Sequence, residues 1–450
     1  MEAVAAPRLG VIADDYTGAV DVAGALRERG AAVTLHFGQP RPDAPAPAGG
    51  AVVVALKTRS VAPALAVAEA RAAARWLWDR GTRQLFFKYS STFDSTDAGN
   101  IGPVMDALYE DLLNEDRLHE APGPRPARVA PVLVCPAVPR YGRTVYQGLL
   151  FVGDRPVAES PAGLHPLTPK TDSDLVRLLT RQTPAAVGLL PWQASAAGAP
   201  TASEALRALG RAGVRYAVAD AIDERGLEVL GALARDHPLV TGAAGLAAAL
   251  LAPSPTPTPT QEPPGGLPGA VVSGSCTETT LEQVRRFARL RPTFQVVPGE
   301  IARGDDVVGG ALAFARRHLP TGPVLVGATA PPEAVRAQQR ALGREHAARL
   351  VETALADIAA GLVALGVRAL VVAGGETSGA VVGRCGISHV VVGRAVAEGV
   401  SWARTTGPDP LWLLLKSGPL GGPDLFAAAL VPETVRGVPQ TAAPARGAGT

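Results

Sequence analysis

Short apolar runs alternate with longer amphipathic stretches along the first 250 residues of the chain. The short runs predict buried β-strands, and the alanine- and leucine-rich stretches between them predict helices. Strands are predicted at 9–13, 32–37, 51–56, 84–89, 130–135, 186–191 and 216–220. Helices are predicted at 63–80, 101–113, 172–181 and 204–212. This alternation is typical of an α/β fold, in which a mainly parallel sheet is flanked by helices.

A segment dense in proline and glycine, 253–268, follows this region and precedes a second α/β pattern that starts at 269–274. Such a composition disfavours helix and offers little to bury, so it predicts a linker. We therefore predict an N-terminal domain over 1–252, the linker, a C-terminal domain over 269–432 and a disordered tail over 433–450.

Composition narrows the class of protein. The chain has 450 residues, 47% of them hydrophobic, which is enough for two cores. Its net charge of +2 argues against nucleic acid or a membrane as the main partner and favours a small-molecule ligand. The three cysteines lack CxxC spacing, and neither a secretion signal nor a membrane-spanning stretch is evident, so we expect a cytoplasmic protein.

Lysine is scarce in this chain. Only Lys57, Lys88, Lys170 and Lys416 stand among the 43 basic residues. A lysine therefore marks a position where a compact ammonium serves better than a guanidinium, although chance retention is the alternative.

Polar residues gather where predicted strands of the first half end, and ligands of parallel sheets bind at that edge. Asp14 and Asp15 follow the first strand, and one of them can contact a ligand while the other braces the turn; an ordinary helix cap is the alternative. Further candidates follow other strands: Arg59, the run from Lys88 through Ser91 and Asp94 to Thr96, Asn100, and Arg143. The hydroxyls, carboxylates and cations suit a polyhydroxylated anion, whereas a Ser/Thr-rich turn is the simpler interpretation.

The second half carries three glycine-rich loops. They contain Ser273 and Ser275, the run 374–379, and Lys416 with Gly418. Small residues at a strand-to-helix turn let backbone amides reach phosphate oxygens, although a tight turn is the commoner use of glycine. Together the loops predict a nucleotide triphosphate site.

Several familiar kinds of nucleotide, metal and hydrolase site are excluded because their sequence motifs are absent. The chain has neither GxxxxGK[ST] nor a suitably placed GxGxxG, and no protein-kinase HRD and DFG set. Its seven histidines show no metal-ligand spacing, and no GxSxG motif occurs.

A series of motifs follows along the chain: IADDYTGAVDVAGAL, ALKTRS, KYSSTFDSTDAGNIGPV, CPAVPRYGRTVYQG, HPLTPKTDSDL, SGSCTETT, VVAGGETSGAVV and LKSGPLGGPDLF. In this order the motifs resemble those of the four-carbon acid sugar kinase family over about residues 9–430. The STFDST and HPLTP segments look most like the 3-oxo-tetronate kinase branch of the family. One departure is that the last loop, usually KSGNFG, here has Pro419 and Leu420, and the proline removes a backbone donor.

The resemblance implies that the N-terminal domain binds the sugar acid, that the C-terminal domain binds ATP and that the active site lies in the interdomain cleft. Substrate contacts would fall on Asp15, Arg59, Lys88, Ser91, Asp94 and Arg143, with Asp14 beside them. Nucleotide contacts would fall on Ser273 or Ser275, on Gly374, Gly375, Glu376 and Thr377, and on Gly418.

The implied reaction is ATP-dependent phosphorylation of the 4-hydroxyl of the sugar acid. We expect Asp15 or Asp94 to act as the base, and Mg²⁺, whose protein ligands stay unassigned, to bridge the ATP phosphates. The rival functions are a D-threonate or D-erythronate kinase and a non-catalytic sugar-acid or nucleotide sensor. Homo-oligomerisation stays open at this point.

Overall fold

The computed structural model describes residues 9–45, 50–114, 130–164, 170–252 and 261–431. The chain forms two compact units. The first contains the described residues up to Glu262 together with Gly386–Ala395 and Ser401–Pro408, and the second contains the rest. The predicted tail and residues 253–260 of the predicted linker lie outside the described residues, as do residues 165–169 of the HPLTP motif.

Strands and helices alternate through the N-terminal half. The strands are β1 (Leu9–Ala13), β2 (Val33–Phe37), β3 (Ala51–Ala55), β4 (Gln84–Lys88), β5 (Val132–Cys135), β6 (Arg143–Tyr146), β7 (Leu149–Val152), β8 (Arg155–Pro156), β9 (Val187–Leu190), β10 (Tyr216–Ala219) and β11 (Leu239–Gly242). The helices are α1 (Tyr16–Glu28), α2 (Pro63–Trp78), α3 (Ile101–Asn114), α4 (Leu175–Thr180), α5 (Trp192–Ala196), α6 (Ala199–Arg211), α7 (Glu224–Ala234) and α8 (Ala244–Ala249). All the predicted strands are present, whereas β6, β7, β8 and β11 were not predicted.

The C-terminal half repeats this alternation. Its strands are β12 (Gly269–Ser273), β13 (Thr293–Gln295), β14 (Val324–Gly327), β15 (Ala369–Ala373), β16 (His389–Ala397), β17 (Val400–Arg404) and β18 (Trp412–Lys416). Its helices are α9 (Glu278–Ala288), α10 (Pro298–Ala302), α11 (Val307–His318), α12 (Pro332–Leu342), α13 (Arg344–Ala364), α14 (Gly375–Arg384) and α15 (Leu425–Leu430).

Each unit contains its own run of parallel strands. In the first unit the strand order is β2–β3–β1–β4–β11–β5–β10–β9, and all of these pairs are parallel. β16 pairs antiparallel with β2 at the edge, and β6, β7 and β8 form a small antiparallel sheet. In the second unit the order is β13–β14–β12–β15–β18, again all parallel. The structure confirms the predicted α/β fold with a mainly parallel sheet in each domain.

The central strands are buried on both faces, which explains why they read as continuous apolar runs. The register of the parallel pairs brings the carboxyl ends of neighbouring strands together. Ala13 pairs with both Ala55 and Lys88 in the first sheet, and Ala373 pairs with both Ser273 and Lys416 in the second. The candidate residues that follow these strands therefore lie at one edge of each sheet.

No helix in the described ranges is both long enough and apolar enough to cross a bilayer.

Candidate functional site

Asp14 and Asp15 share one guanidinium at the end of β1. Arg59 donates from Nε and Nη2 to the two carboxylate oxygens of Asp14, at 2.9 and 2.7 Å, and Nη2 also donates to Asp15. The turn is fixed by backbone bonds as well, because the amides of Thr58 and Arg59 both donate to the carbonyl of Asp14. One cation thus binds two adjacent carboxylates in a fixed geometry.

Asp15 also caps α1. Its carboxylate accepts from the amide of Gly18 at 3.0 Å and from the hydroxyl of Thr17 at 2.6 Å. Burial raises the pKa of Asp14, and Arg59 only partly opposes that effect. Burial also acts on Asp15, but Arg59 and Lys88 outweigh it and lower the pKa of Asp15. Asp15 is therefore ionised at neutral pH, and both alternatives, helix cap and charged site residue, apply to it.

Asp94 joins this cluster from the loop after β4. Its Oδ1 accepts from Lys170 Nζ at 2.6 Å and from the hydroxyl of Thr92 at 2.9 Å, while Oδ2 lies 3.8 Å from Arg59 Nη1. Burial opposes ionisation of Asp94, but Lys170 and Arg59 outweigh it and lower its pKa to about 2. Asp94 is therefore a carboxylate at every physiological pH.

The residue before Asp94 has an unusual backbone. Phe93 has φ +50°, which residues other than glycine rarely adopt, and its ring is buried against Tyr89 at a centroid distance of 5.3 Å. Strained backbone of this kind persists where the surroundings hold it and is concentrated at functional sites. Packing of Phe93 therefore helps to fix the direction in which the Asp94 side chain projects from the loop.

Lys88 lies beneath the N-terminus of α1. Its side chain is buried, and a Cβ added to Gly18 would lie 2.2 Å from Nζ. Only glycine leaves room there for the ammonium, whose charge also lowers the pKa of Asp15. The positive charge of Lys88, below the helix, therefore favours the ionised form of the carboxylates in the cluster.

Two amide side chains support the loops that carry these charges. Asn100 Nδ2 donates to the carbonyl of Thr58 at 2.6 Å, with longer contacts to the next loop residues. Gln182 Nε2 donates to Ser95 Oγ at 2.9 Å, and Gln182 Oε1 accepts from the amide of Gly102. Asn100 was expected among the functional residues, and the structure gives it a positioning contact.

Two other predicted substrate residues are less closely tied to the cluster. The hydroxyl of Ser91 lies in the Asp94 loop and has no hydrogen-bond partner in the described part of the chain. Arg143 begins β6 and donates to the carbonyl of Tyr141, and its buried Nε has no hydrogen-bond partner among the described residues. No ion pair joins Arg143 to Asp14, Asp15 or Asp94 in the described structure. Ser91 therefore lies with the predicted set, whereas no contact ties Arg143 to it.

The glycine loops of the second unit contact one another. Ser273 and Thr329 bond through their hydroxyls at 2.6 Å, and Thr329 donates to the carbonyl of Ser275. Gly374 has φ +119°, and a Cβ there would lie 3.2 Å from the amide nitrogen of Ser275. A Cβ at Gly418 would lie 2.6 Å from Ser275 Oγ. The loops after β12, β15 and β18 therefore pack closely only because two of their residues are glycine.

Lys416 supports this arrangement from within. Its Nζ donates to Gln283 Oε1 at 2.6 Å, to the carbonyl of Gly418 at 2.9 Å and to Thr280 Oγ1 at 3.1 Å. Gln283 Nε2 in turn donates to the carbonyls of 420, 421 and 422. Burial lowers the pKa of Lys416 to about 8. Sequence reasoning placed this lysine in a phosphate loop, and in the structure its ammonium is turned inward to hold that loop.

The N-terminus of α14 provides the exposed part of this site. Gly375 and Glu376 are exposed and Thr377 is buried in the first turn, after Gly374 as the N-cap. Amides in the first turn of a helix have no acceptor within the helix, and the helix dipole favours an anion there. The arrangement can bind phosphate oxygens.

Sequence reasoning missed Lys170 as a site residue. The scarcity of lysine was the one signal that marked it, because Lys170 follows no predicted strand and reaches Asp94 only through the fold. As for metal ions, no group of three or more His, Cys, Asp or Glu side chains in the described residues is arranged to bind one.

Comparisons with known proteins match each half of the chain to a family model. Residues 9–250 match a family model described as a sugar-binding N-terminal domain, and residues 270–426 match one described as a nucleotide-binding C-terminal domain. A 3-oxo-tetronate kinase from Methylobacterium radiotolerans is 48% identical over 432 residues, covering 94% of this chain and 98% of the relative. One from Burkholderia multivorans is 46% identical over 433 residues, covering 94% and 97%.

Two solved structures are similar as well. A crystal structure from Salmonella typhimurium LT2 has a TM-score of 0.83 and 37% identity, covering 94% of this chain and 98% of the other. One from Haemophilus influenzae has a TM-score of 0.78 and 37% identity, covering 93% and 98%.

Proposed function

The chain belongs to the four-carbon acid sugar kinase family, and we propose that it is an ATP-dependent kinase that phosphorylates the 4-hydroxyl of 3-oxo-tetronate. One observation carries the proposal: carboxylates and cations cluster at the strand ends of one sheet, and close-packed glycine turns lie at the strand ends of the other. Four relatives with 44–48% identity over nearly the full chain are named 3-oxo-tetronate kinases, which supports the choice of substrate.

ATP binding is assigned to the second unit. The first-turn amides of α14, at Gly375, Glu376 and Thr377, suit the phosphate oxygens, with the dipole of the helix behind them. Gly374 and Gly418 let the loops that carry Ser275 and Thr377 pack closely, which brings their polar groups together at this helix end. The hydroxyl of Ser275 lies between these loops and suits a further phosphate hydrogen bond.

Asp94 is the better candidate for the base. The oxygens of Asp15 are engaged by Gly18, Thr17 and Arg59, whereas among the described residues the ion pair of Asp94 Oδ2 is the longer, 3.8 Å contact to Arg59. That oxygen is available to accept the hydrogen bond of a substrate hydroxyl. We therefore assign proton acceptance to Asp94 and a positioning role to Asp15.

A carboxylate with a pKa of about 2 is a weak base, but the reaction does not require a strong one. Phosphoryl transfer passes through a loose transition state in which orientation and neutralisation of charge matter more than early removal of the proton. Asp94 would orient the hydroxyl and accept its proton late in the reaction. The fixed ion pair with Lys170 suits that role because it holds the carboxylate still.

Mg²⁺ fits the nucleotide loops of the second unit only in the manner usual for nucleotide enzymes. In such enzymes the phosphates and water supply most of the metal ligands, and the protein adds one or two. The exposed carboxylate of Glu376 and the exposed hydroxyl of Thr277 would supply those protein ligands. When bound, the ion would neutralise charge on the phosphates.

The test is a panel of four-carbon acids, oxidised and unoxidised at C3, assayed for ATP-dependent ADP release, with the product identified by ³¹P NMR. We expect the highest kcat/KM for 3-oxo-tetronate and a phosphate on C4. A higher kcat/KM for threonate or erythronate would reassign the substrate, and ADP release no greater than without any acid would refute the kinase assignment.

A further inference from the structure

Most cations around the carboxylate cluster already have partners inside the protein. Arg59 is bound to Asp14 and Asp15, and Lys170 is bound to Asp94. Lys88 is buried under α1. A sugar acid brings a further negative charge, its C1 carboxylate, and burying that charge without a cation is costly. The cluster as built does not supply that cation.

Lys57 is the exposed exception among the four lysines of the chain. The side chains of Lys88, Lys170 and Lys416 are buried, whereas Lys57 is exposed and forms no ion pair with any described residue. Its Nζ lies 5.2 Å from the centroid of the Tyr16 ring, a cation–π contact that directs the ammonium.

A cavity of about 250 Å³ opens at this lysine. Its wall includes Tyr16, Lys57, Thr58, Val61, Leu65 and Glu69. Tyr16 follows Asp15 directly, and Thr58 precedes Arg59 directly, so the cavity borders the carboxylate cluster. Glu69 is held at its other side by a 2.7 Å bond from Gln39 Nε2.

The chemistry of this cavity matches one end of a sugar acid. An ammonium suits a carboxylate, and the carboxylate of Glu69 and the hydroxyl of Thr58 suit sugar hydroxyls. A flexible, compact ammonium beside an aromatic ring leaves room for a small ligand, because it occupies less space than a guanidinium fork.

Resting on the proposed kinase function, we propose that Lys57 binds the C1 carboxylate of the sugar acid in this cavity and thereby selects acids over neutral four-carbon sugars. Tyr16 orients the ammonium through its ring face. The bound acid would then extend from Lys57 toward the carboxylate cluster, with its 4-hydroxyl at Asp94.

The test compares the wild type, Lys57→Met and Lys57→Arg, using the best acid of the substrate panel and its C1 amide. Loss of a charge-assisted hydrogen bond predicts an increase of about 30-fold in KM for the acid in Lys57→Met, with the KM for ATP unchanged. The preference for acid over amide in kcat/KM should approach 1 in Lys57→Met and persist in Lys57→Arg. Tyr16→Leu should weaken acid binding several-fold, whereas Tyr16→Phe, which keeps the ring, should weaken it less.

A preference for acid over amide that survives in Lys57→Met would overturn the assignment, as would a change in the KM for ATP instead of the KM for the acid. Calorimetric titration of the acid without ATP separates this inference from the kinase proposal. If the wild type binds the acid without phosphorylating it, the kinase proposal fails. Weakened binding in Lys57→Met would then still support the Lys57 site, and undiminished binding would refute it.

Discussion

The ammonium nitrogen of Lys170 lies 2.6 Å from Oδ1 of Asp94, and the side chain of Lys170 is only 2% exposed. A buried ion pair of this kind is a poor source of net stability, because desolvation offsets much of the attraction. Its value here is geometric, since it fixes one oxygen of Asp94 and leaves the other available. The pair therefore links a residue outside every predicted strand to the proposed chemistry.

Replacing Lys170 should move the acid limb of the pH profile. The pKa of Asp94 is about 2 in the native state against an ordinary 3.8, so the stability this carboxylate contributes is complete above about pH 4 and is lost as the pH falls toward 2. In Lys170→Met, burial acts without the nearest cation, and the pKa of Asp94 should rise above 3.8. We expect kcat/KM to fall between pH 6 and 4 in this variant and to stay level in the wild type.

Lys170→Arg keeps the charge and should retain more of the wild-type profile. Lys170→Met should also lower the free energy of unfolding by about 3 kcal/mol, as is usual when one partner of a buried pair is removed. An acid limb identical in the wild type and Lys170→Met would contradict the role given to Lys170.

Neutralising the carboxylates should separate catalysis from folding. Asp94→Asn keeps the shape and loses the proton acceptor, so we expect kcat to fall by about 10²–10⁴-fold. Asp15→Asn should reduce kcat less, because Asp15 positions its neighbours. Asp97→Asn is the matched control, since Asp97 lies in the same loop and is exposed. Initial rates of ADP release measure all three, and a kcat of Asp94→Asn close to that of Asp97→Asn would exclude Asp94 as the base.

Adding one methyl group to the nucleotide loop should weaken ATP binding. Gly374 has φ +119°, and a Cβ there would lie 3.1 Å from Thr377 Oγ1, so Gly374→Ala should raise the KM for ATP about tenfold or more and leave the KM for the acid unchanged. Gly383→Ala, later in the same helix, meets no atom within 4 Å and should stabilise the helix by up to about 1 kcal/mol. Equal KM values for ATP in these two variants would argue against a phosphate site at Gly374.

The buried ammonium of Lys416 should make stability depend on pH in the alkaline range. Burial lowers its pKa from 10.5 to about 8, so the native state releases this proton at lower pH than the unfolded state does. The unfolded state binds more protons in that interval, and this lysine therefore adds stability as the pH rises from about 8 to 10.5.

Lys416→Met should remove that increase. Urea unfolding of both proteins at pH 7.5 and pH 10 measures the effect, and the difference in unfolding free energy should grow at the higher pH. The variant should also show a higher KM for ATP, because Gly418 and its neighbours lose their support. The same pH dependence in both proteins would mean that Lys416 does not titrate in this range.

Much of the fold could be predicted from local pattern. The strands before Asp14 and Arg59 are continuous apolar runs, and the loops after parallel strands meet at one edge of the sheet. The meeting of Asp14, Asp15 and Arg59 could therefore be expected from the sequence. Sequence alone could not show which oxygens stay free, because that depends on distances of a few tenths of an ångström.

The contacts that were missed join residues far apart in the chain. β11 was hidden because its apolar run continues directly into α8, without a polar boundary. The direction in which the Lys416 side chain points could not be predicted either. The sequence pattern of a lysine beside glycines is the same whether the ammonium points toward a ligand or, as here, toward Gln283.

The return of β16 to the first unit means that the two halves of this protein are not interchangeable modules. His389 and the residues after it pair with β2, from His36 back toward Thr34, so a polypeptide ending at the proline-rich segment would lack that neighbour. The uncovered edge of β2 would be open to pairing with other chains. Joining the first unit of this chain to the second unit of a relative would need a crossover at the proline-rich segment and one on each side of residues 386–408.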